Sequence, residues 1–357
     1  MTPWQFELSG RPFSGEERTA LAPDLDALGA DVSVLDVYDA TLGAVSRLTQ
    51  PRVLRAYTGG QLVGAAVVML CRDAGSSFFS APRARRALHP LPPVWYWERS
   101  GLATDGHSGP GLVTGGVDRR EFVDRAVSWL RRRYLVGSLV EQAGAPATPG
   151  QVVTRGMGVS QVDLSGGGSA AVLAEHRNLA RKVRKFAGRG GRLEVRTGAL
   201  PGWLADPLVT AYAVARPINP PFVELYPRMV RAQWALTSDR LVHVVALIGD
   251  APVGYHSFWR AGRRLALLSG AFGRPDDGNV HAYENVLLRS LDVGDELGCS
   301  LLDFGPTVNA VKRSLLGTQP TELRFVSGVA PVRGALRAML PRTAISPDSI
   351  EAVVGPA

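Results

Sequence analysis

Two stretches of the sequence share one pattern of apolar residues, a glycine turn and further apolar residues. Residues 55–69 (RAYTGGQLVGAAVVM) and 245–259 (VALIGDAPVGYHSFW) each predict a strand, a tight turn and a second strand. In both stretches a Val-Gly pair follows the turn, at Val63-Gly64 and at Val253-Gly254. These matched hairpins predict a repeated unit.

The elements after each hairpin also come in the same order. A strand, a helix and a further strand are predicted at 93–103, 118–133 and 134–142 in the first half, and at 264–273, 279–298 and 299–305 in the second half. This order predicts an α/β fold made of two copies of one unit. Because the loop 143–151, the strand 158–165 and the glycines at 166–168 separate the copies, we predict domains at 1–165 and 166–330 and an extension at 331–357.

Positive charge is concentrated in one predicted helix, residues 169–187. Apolar side chains recur at helical spacing on one face, and basic side chains lie on another. Residues 177–196 hold eight basic residues and one acid, whereas the remaining chain has 32 basic and 31 acidic residues. A charged helix face is most often simply solvated. The contrast with the rest of the chain instead favours a phosphate-bearing partner.

Composition excludes several classes of protein. The hydrophobic content of 45% is typical of a chain with real cores. The two cysteines, Cys71 and Cys299, do not form a disulfide framework, and the six histidines lack metal-binding spacings, so we predict no metal. The longest apolar run, 62–71, is about half the length of a membrane span. We therefore predict a cytoplasmic protein without a membrane span; its oligomeric state stays open.

Four blocks of the second half resemble the GNAT-like acyltransferase domain of the Fem-type aminoacyl transferases and related bacterial tandem-GNAT proteins. They are VDLSGGGSAAVLAEHRNLARKVRKF, RPINPPFVELYPRMV, GDAPVGYHSFW and ELGCSLLDFGPTVNAVKRSLLG. In the first half, GHSGPGLV is similar to a loop of the family's N-terminal copy. The resemblance implies two tandem GNAT-like domains, each a central mixed sheet flanked by helices. It also implies that the first is structural or acceptor-binding and that the second carries the chemistry.

The activity implied by the resemblance is N-acyl transfer. The donor would be acyl-CoA or aminoacyl-tRNA, and the acceptor an amine of a small molecule, peptide or cell-wall precursor. One alternative is an aminoacyl-tRNA-dependent, peptide-bond-forming Fem-type transferase, with tRNA as its partner. The other is a catalytically inactive tandem domain that binds an anion, because the loop GRPDDGN lacks the several glycines of an acyl-CoA cradle.

The predicted binding residues fall into two groups. The donor or another anion is expected at Arg177, Arg181, Lys182, Lys185, Ser269, Gly270 and Arg274. We expect Arg181, Lys182 and Lys185 to lie on a solvated helix face, while Gly270 either admits a ligand or marks a bulge. The acceptor loop is expected at Arg216, Asn219, Phe222 and Tyr226, where a rigid loop without a ligand is the alternative.

Five residues are candidates for catalysis, each with a structural alternative. The candidates are Lys312, Asp303, Glu284, His281 and His256. As alternatives to catalysis, Lys312 would be a cation at the C-terminal end of a helix, and Asp303 a turn aspartate that bonds Gly305. Glu284 and His281 would be a first-turn pair favoured by the helix dipole, and His256 a core histidine. Lys312 is one of only three lysines in a chain with 37 arginines. The resemblance implies a cation there, near the reacting carbonyl or the phosphates of the acceptor.

Overall fold

The computed structural model describes residues 3–47, 49–71, 94–97, 111–134, 137–139, 160–166, 168–215, 224–272, 281–305 and 312. These residues form two compact units. Unit 1 takes its described residues from 1–158 and 218–229, and unit 2 takes them from 159–217 and 230–320. The domain boundaries given above stay predictions.

Unit 1 is a mixed sheet with three helices among its described elements. In chain order these are β1 (Trp4–Ser9), α1 (Gly15–Ala27), α2 (Val34–Gly43), β2 (Thr49–Thr58), β3 (Gln61–Cys71), β4 (Val94–Trp97), β5 (Leu112–Val113), α3 (Arg119–Arg131) and β6 (Gly137–Leu139). The strand order is β1-β2-β3-β4-β6, and β5 pairs with β3. Strands β4 and β6 run parallel, and the other pairs are antiparallel.

A buried ion pair ties the first helix of unit 1 to the sheet. Arg55 on β2 is fully buried, and its Nε lies 2.8 Å from Oε1 of Glu17. Glu17 also completes a capping box with Ser14 at the start of α1. Burial acts to raise the pKa of Glu17, but the hydrogen bonds from Ser14, Arg55 and Arg11 outweigh burial and lower it. The carboxylate is thereby held in its charged form.

Unit 2 contains the second sheet. Its elements are β7 (Gln161–Asp163), α4 (Gly168–Glu175), α5 (Arg177–Gly188), β8 (Gly191–Thr197), α6 (Gly202–Ala215), residues 230–234 of α7 (Leu225–Trp234), β9 (Leu241–Ile248), β10 (Ala251–Ala261), β11 (Arg264–Phe272), α8 (Ala282–Glu296) and β12 (Leu301–Asp303). The strand order is β7-β12-β11-β10-β9-β8. Only β11 and β12 are parallel among the described pairs of this sheet.

The two faces of this second sheet are covered by different helices. Val286, Leu287 and Leu291 of α8 pack with Val244 and Phe258 of the sheet, and α5 adds Leu179 and Phe186 to the same core. Helix α6 contacts β10 and β11, and the ring of Trp234 in α7 packs on Tyr255. Because side chains alternate along a strand, Tyr255 points away from α8. We call the two sides the α8 face and the α6 face.

The α/β class and both hairpins predicted from the sequence are confirmed. The predicted hairpins are β2–β3 and β9–β10. One helix differs from its prediction: residues 169–187 form two helices, α4 and α5, which are separated at His176. His176 has φ −123° and ψ 79°, which lies outside the helical region. The apolar residues Val172, Leu179, Val183 and Phe186 nevertheless all pack on one core, as predicted.

The buried histidine of β9 predicts a loss of stability in mild acid. Burial lowers the pKa of His243 to about 4, although its bond to the Gly198 carbonyl opposes the shift. Above pH ~6.5 both folded and unfolded chains carry the neutral ring. As pH falls from there to about 4, only the unfolded chain takes up the proton, so the free energy of unfolding should drop by up to about 1.4 kcal/mol per pH unit.

Urea unfolding across this pH range measures the drop. His243→Gln should be less stable at pH 7, because Ser257 and Gly198 lose a fitted partner, but its stability should vary less with pH. An undiminished pH dependence in this variant would assign the acid sensitivity to other groups.

Candidate active site

The sheet of unit 2 opens between β11 and β12. The two strands pair from Arg264 and Leu301 up to Ala266 and Asp303, where their pairing stops. Beyond that point β11 stays with β10 as far as Phe272. The chain after β12 instead pairs with Ser160. The backbone N–H of Phe304 donates to the Ser160 carbonyl at 2.8 Å, and the backbone N–H of Ser160 donates to the Gly305 carbonyl at 3.1 Å. The strands therefore separate at Ala266 and Asp303 and leave a gap between them.

Asp303 fixes this point of separation. The residue is 1% exposed, and one carboxylate oxygen accepts hydrogen bonds from Arg264 and, at 3.0 Å, from the side chain of Gln161. The other oxygen accepts from the backbone N–H of Gly305 at 2.7 Å. Gly305 has φ 75°, a conformation that glycine adopts without a steric cost. These contacts favour the turn-aspartate interpretation over a catalytic base.

A β-bulge follows the separation directly. Ser257 of β10 pairs with Ser269, but its neighbour Phe258 pairs with Leu267, so Leu268 is an extra residue on β11. Bulges bend a strand and turn its side chains. At Gly270, the residue after Ser269, an added Cβ would lie 2.6 Å from Cδ2 of His256. Glycine therefore lets the His256 ring rest directly on the backbone of β11 beside the gap.

His256 is a buried, neutral histidine of the α8 face. Its Nδ1 lies 3.1 Å from Ser290 Oγ, which itself donates to the Val286 carbonyl at 2.7 Å. Because the serine proton is used there, Nδ1–H of His256 donates to the serine oxygen, and the lone pair of the ring is on Nε2. Burial, and secondly the charge of Lys312, lower the pKa of His256 well below its usual value. Phe258, Phe272, Tyr283 and Phe304 surround the ring.

Lys312 lies at the same place and is buried. The residue is 4% exposed, and its Nζ donates to the carbonyl of Phe304 at 3.2 Å. The ammonium also lies 5.5 Å from the centroid of the Phe304 ring. The ammonium thus bonds a carbonyl where β12 ends. This placement beside the gap differs from that of a solvated cation at a helix end.

Cations gather at the beginning of α8. Lys182 of α5 donates to Oε1 of the buried Glu284 at 2.7 Å. His281, just before α8, has φ 59° and makes no capping bond with its side chain. Burial lowers the pKa of His281; Glu284 opposes the shift, whereas Lys182, Lys185 and Arg189 add to it. The first N–H groups of a helix and nearby cations together favour an anion.

The expectation of a solvated face for Lys182 is wrong. Arg177, Arg181, Arg184 and Lys185 are exposed, as predicted. The Lys182 side chain, by contrast, is only 29% exposed because it pairs with Glu284 across 102 residues of sequence. Removing Lys182 would leave a buried carboxylate without its partner.

Of the remaining candidates, Ser269 lies on β11 and is 2% exposed. Tyr226 lies in the first turn of α7 and is half-buried. Arg274, Arg216, Asn219 and Phe222 lie outside the described residues. Sequence reasoning missed Arg264, Gln161 and Ser290, which hold the site together; each is an ordinary residue of a strand or helix and carries no motif.

Within the described part of the chain, no helix is long and apolar enough to cross a membrane. The same residues contain no group of three or more His, Cys, Asp or Glu side chains that could hold a metal ion.

Comparisons with known proteins identify the fold. Residues 174–313 match the family model Acetyltransf_6, described as "Acetyltransferase (GNAT) domain". No curated protein matches the chain significantly in sequence.

Three solved structures are similar in fold. A C-terminal DUF2156 domain from Agrobacterium fabrum has a TM-score of 0.56 and 11% identity over 92% of this chain and 98% of its own. L-PGS from Bacillus licheniformis has a TM-score of 0.52 and 10% identity over 96% and 99%. FemX has a TM-score of 0.52 and 12% identity over 94% and 99%.

Residues 174–313 therefore match a GNAT domain. The predicted tandem GNAT-like fold, related to that of the Fem-type transferases, is confirmed. A GNAT domain supports acyl transfer as the general activity.

The contacts of Asp303 predict a structural role that can be measured. Asp303→Asn should leave the buried Arg264 without a counter-charge and cost about 3–5 kcal/mol of unfolding free energy in a urea titration. Asp250→Asn is the matched control, because Asp250 is exposed and its pair with Arg192 is screened by solvent, so the change should hardly alter stability. If Asp303→Asn keeps the parent's stability but loses acyl transfer, the carboxylate acts in the chemistry instead.

Proposed function

We propose that the protein transfers an acyl group from acyl-CoA to an amine of a small molecule, peptide or cell-wall precursor. The observation that carries this proposal is the separation of β11 and β12 at Ala266 and Asp303, beside a bulge, a buried lysine and a neutral histidine. The gap gives a thioester carbonyl a dry place between two strands.

The reaction needs no nucleophilic side chain. The neutral amine of the acceptor attacks the thioester carbonyl, a C–N bond forms, the C–S bond breaks, and the proton lost by the amine ends on the departing thiolate. Charge develops on the carbonyl oxygen and on the sulfur, so a fixed cation nearby lowers the barrier. Lys312 supplies that cation, and the Nε2 lone pair of His256 is the candidate to accept the proton.

The charges around α8 support a phosphate-bearing donor. Lys185 and Arg189 lie close enough to His281 to affect its pKa, next to the first turn of α8. The phosphates of coenzyme A match this combination of helix N-terminus and cations. Glu284 in that turn is neutralised by Lys182 and so repels the donor less.

One observation favours aminoacyl-tRNA as a second candidate donor. Arg177, Arg181 and Arg184 of α5 are exposed, and no ion pair is recorded for them within the described residues, unlike Arg192, Arg196 and Arg231. Such a row of guanidinium groups suits a polyanion.

Binding tests separate the two donors. Acetyl-CoA at about 100 times its Kd should stabilise the protein by about 2.7 kcal/mol, seen as a rise in Tm, whereas tRNA should not. The double change Arg181→Ala with Lys185→Ala should weaken acetyl-CoA binding, and the loss should shrink as salt rises. Arg132→Ala, an exposed arginine of unit 1, is the control. A rise in Tm with tRNA alone would replace acyl-CoA by the second candidate.

Turnover of Lys312 variants tests the chemistry. Loss of CoA thiol release by about a hundredfold or more is expected in Lys312→Met, because one well-placed donor supplies roughly 2.7–4 kcal/mol of transition-state stabilisation. Lys312→Arg should also be slow, because a guanidinium does not fit a site shaped for an ammonium. The Tm of each variant, compared with that of the parent, shows whether the variant is folded. Full turnover in either variant contradicts a catalytic role for Lys312.

A further inference from the structure

The α6 face of unit 2 carries buried polar side chains that the chemistry above does not use. Ser257 of β10 pairs with Ser269 of β11 on one side and with His243 of β9 on the other, so the three side chains point the same way. Trp259 follows Ser257 by two positions and shares its face. The Trp234 ring packs on Tyr255 at 4.9 Å and on His243 at 5.8 Å.

Three of these side chains have no hydrogen-bond partner among the described residues. They are Nε1 of Trp234, Nε1 of Trp259 and Oγ of Ser269, on residues that are 2%, 0% and 2% exposed. Folded proteins pair most buried polar groups, and each buried group left without a hydrogen bond lowers stability. Two of these groups lie on one face of neighbouring strands, and the third belongs to α7, which packs on the same face; together they indicate that a ligand is their partner.

This cluster borders the gap from the side opposite to Lys312 and His256. Ser269 lies on β11 beyond Ala266, where β12 separates, and directly precedes Gly270, on which His256 rests. Both faces therefore border the same gap, and a ligand on the α6 face would enter it from the side opposite to Lys312 and His256.

The chemistry of the face defines the ligand atom. An indole N–H only donates, so the ligand must present an acceptor. His243 is neutral near pH 7, since its pKa is about 4. Leu265 and Leu302 belong to the core of the α8 face, so Arg264 and Asp303, their neighbours in sequence, point to the α6 face; they neutralise each other. An ionised carboxylate would be buried there without a counter-charge, which is costly, so an uncharged oxygen fits best.

We propose that the α6 face binds the acyl acceptor through an uncharged carbonyl oxygen, held by Ser269, Trp234 and Trp259. The acceptor is then an amino amide or a peptide with a free amine, and a simple alkylamine lacks the recognised group. This inference rests on the proposed function for the identity of the ligand as the acceptor.

The paired serines give a first test that needs no ligand. Ser269→Ala removes a hydroxyl that makes no recorded bond, so its Tm should equal or exceed that of the parent. Ser257→Ala removes an equally buried hydroxyl that lies 2.7 Å from Nδ1 of His243, so its Tm should fall. A fall in Ser269→Ala as large as in Ser257→Ala overturns the proposal, because the Ser269 hydroxyl then has a partner within the protein.

Binding of two small amines gives the second test. Glycinamide and propylamine have the same chain length, but only glycinamide carries a carbonyl. In indole ¹⁵N–¹H spectra, assigned with Trp234→Phe and Trp259→Phe, glycinamide should shift the signals of Trp234 and Trp259, and propylamine should not. The exposed Trp203 is the internal control. Ser269→Ala should weaken glycinamide binding about fivefold to tenfold, the effect of one hydrogen bond.

The two proposals fail in different ways. Equal shifts with both amines, or no shift with glycinamide at its solubility limit, overturn the carbonyl site. Shifts with glycinamide but no thiol release from any acyl-CoA leave the carbonyl site standing and refute the proposed function.

Discussion

A β-sheet opens only if the backbone groups at the opening find other partners, and in unit 2 this requirement depends on Asp303. Its carboxylate takes hydrogen bonds from Arg264 on β11, Gln161 on β7 and the backbone of Gly305. Ser160 then takes over the pairing of the chain after β12, so those groups stay bonded while β11 continues with β10. The gap is therefore a fixed feature of a well-bonded sheet, and a ligand need not force it open.

The gap separates two faces with different chemistry. On the α8 face, a neutral histidine, a buried ammonium and four aromatic rings adjoin the gap, and further cations lie at the start of α8. On the α6 face, Arg264 and Asp303 neutralise each other, and the unpaired groups of Trp234, Trp259 and Ser269 are neutral hydrogen-bond donors. In the proposed reaction, a charged donor and an uncharged part of the acceptor would thus approach one reaction point from separate faces. The unmade hydrogen bonds on the α6 face lower the stability of the free protein, and the proposed ligand would restore them.

The sequence predicted the parts of this fold that local pattern determines. Alternating apolar residues around glycine turns placed both hairpins, and the helical spacing of Val172, Leu179, Val183 and Phe186 identified the core side of α4 and α5. The break at His176 escaped notice because no glycine or proline marks it. The bond of Asp303 to the Gly305 backbone was offered as an alternative from the sequence, but its bond to Gln161 and the pairing of Lys182 with Glu284 were not, since these partners lie 142 and 102 residues away. The spacing of residues along the chain predicts local structure, whereas these contacts form only in the tertiary fold.

The use of lysine in an arginine-rich chain has a physical explanation in two of three cases. Lys182 and Lys312 each direct a compact ammonium at a buried oxygen, of Glu284 and of the Phe304 carbonyl respectively. A guanidinium in the same place would bring five N–H donors in a rigid plane, and most would need further buried acceptors. Arg55 shows the contrast: it is fully buried, and Glu17, Ser9 and the carbonyls of Arg11 and Pro12 all accept from it. Arg55 therefore lies where the fold offers several acceptors, whereas Lys182 and Lys312 each bring a compact ammonium to a buried oxygen.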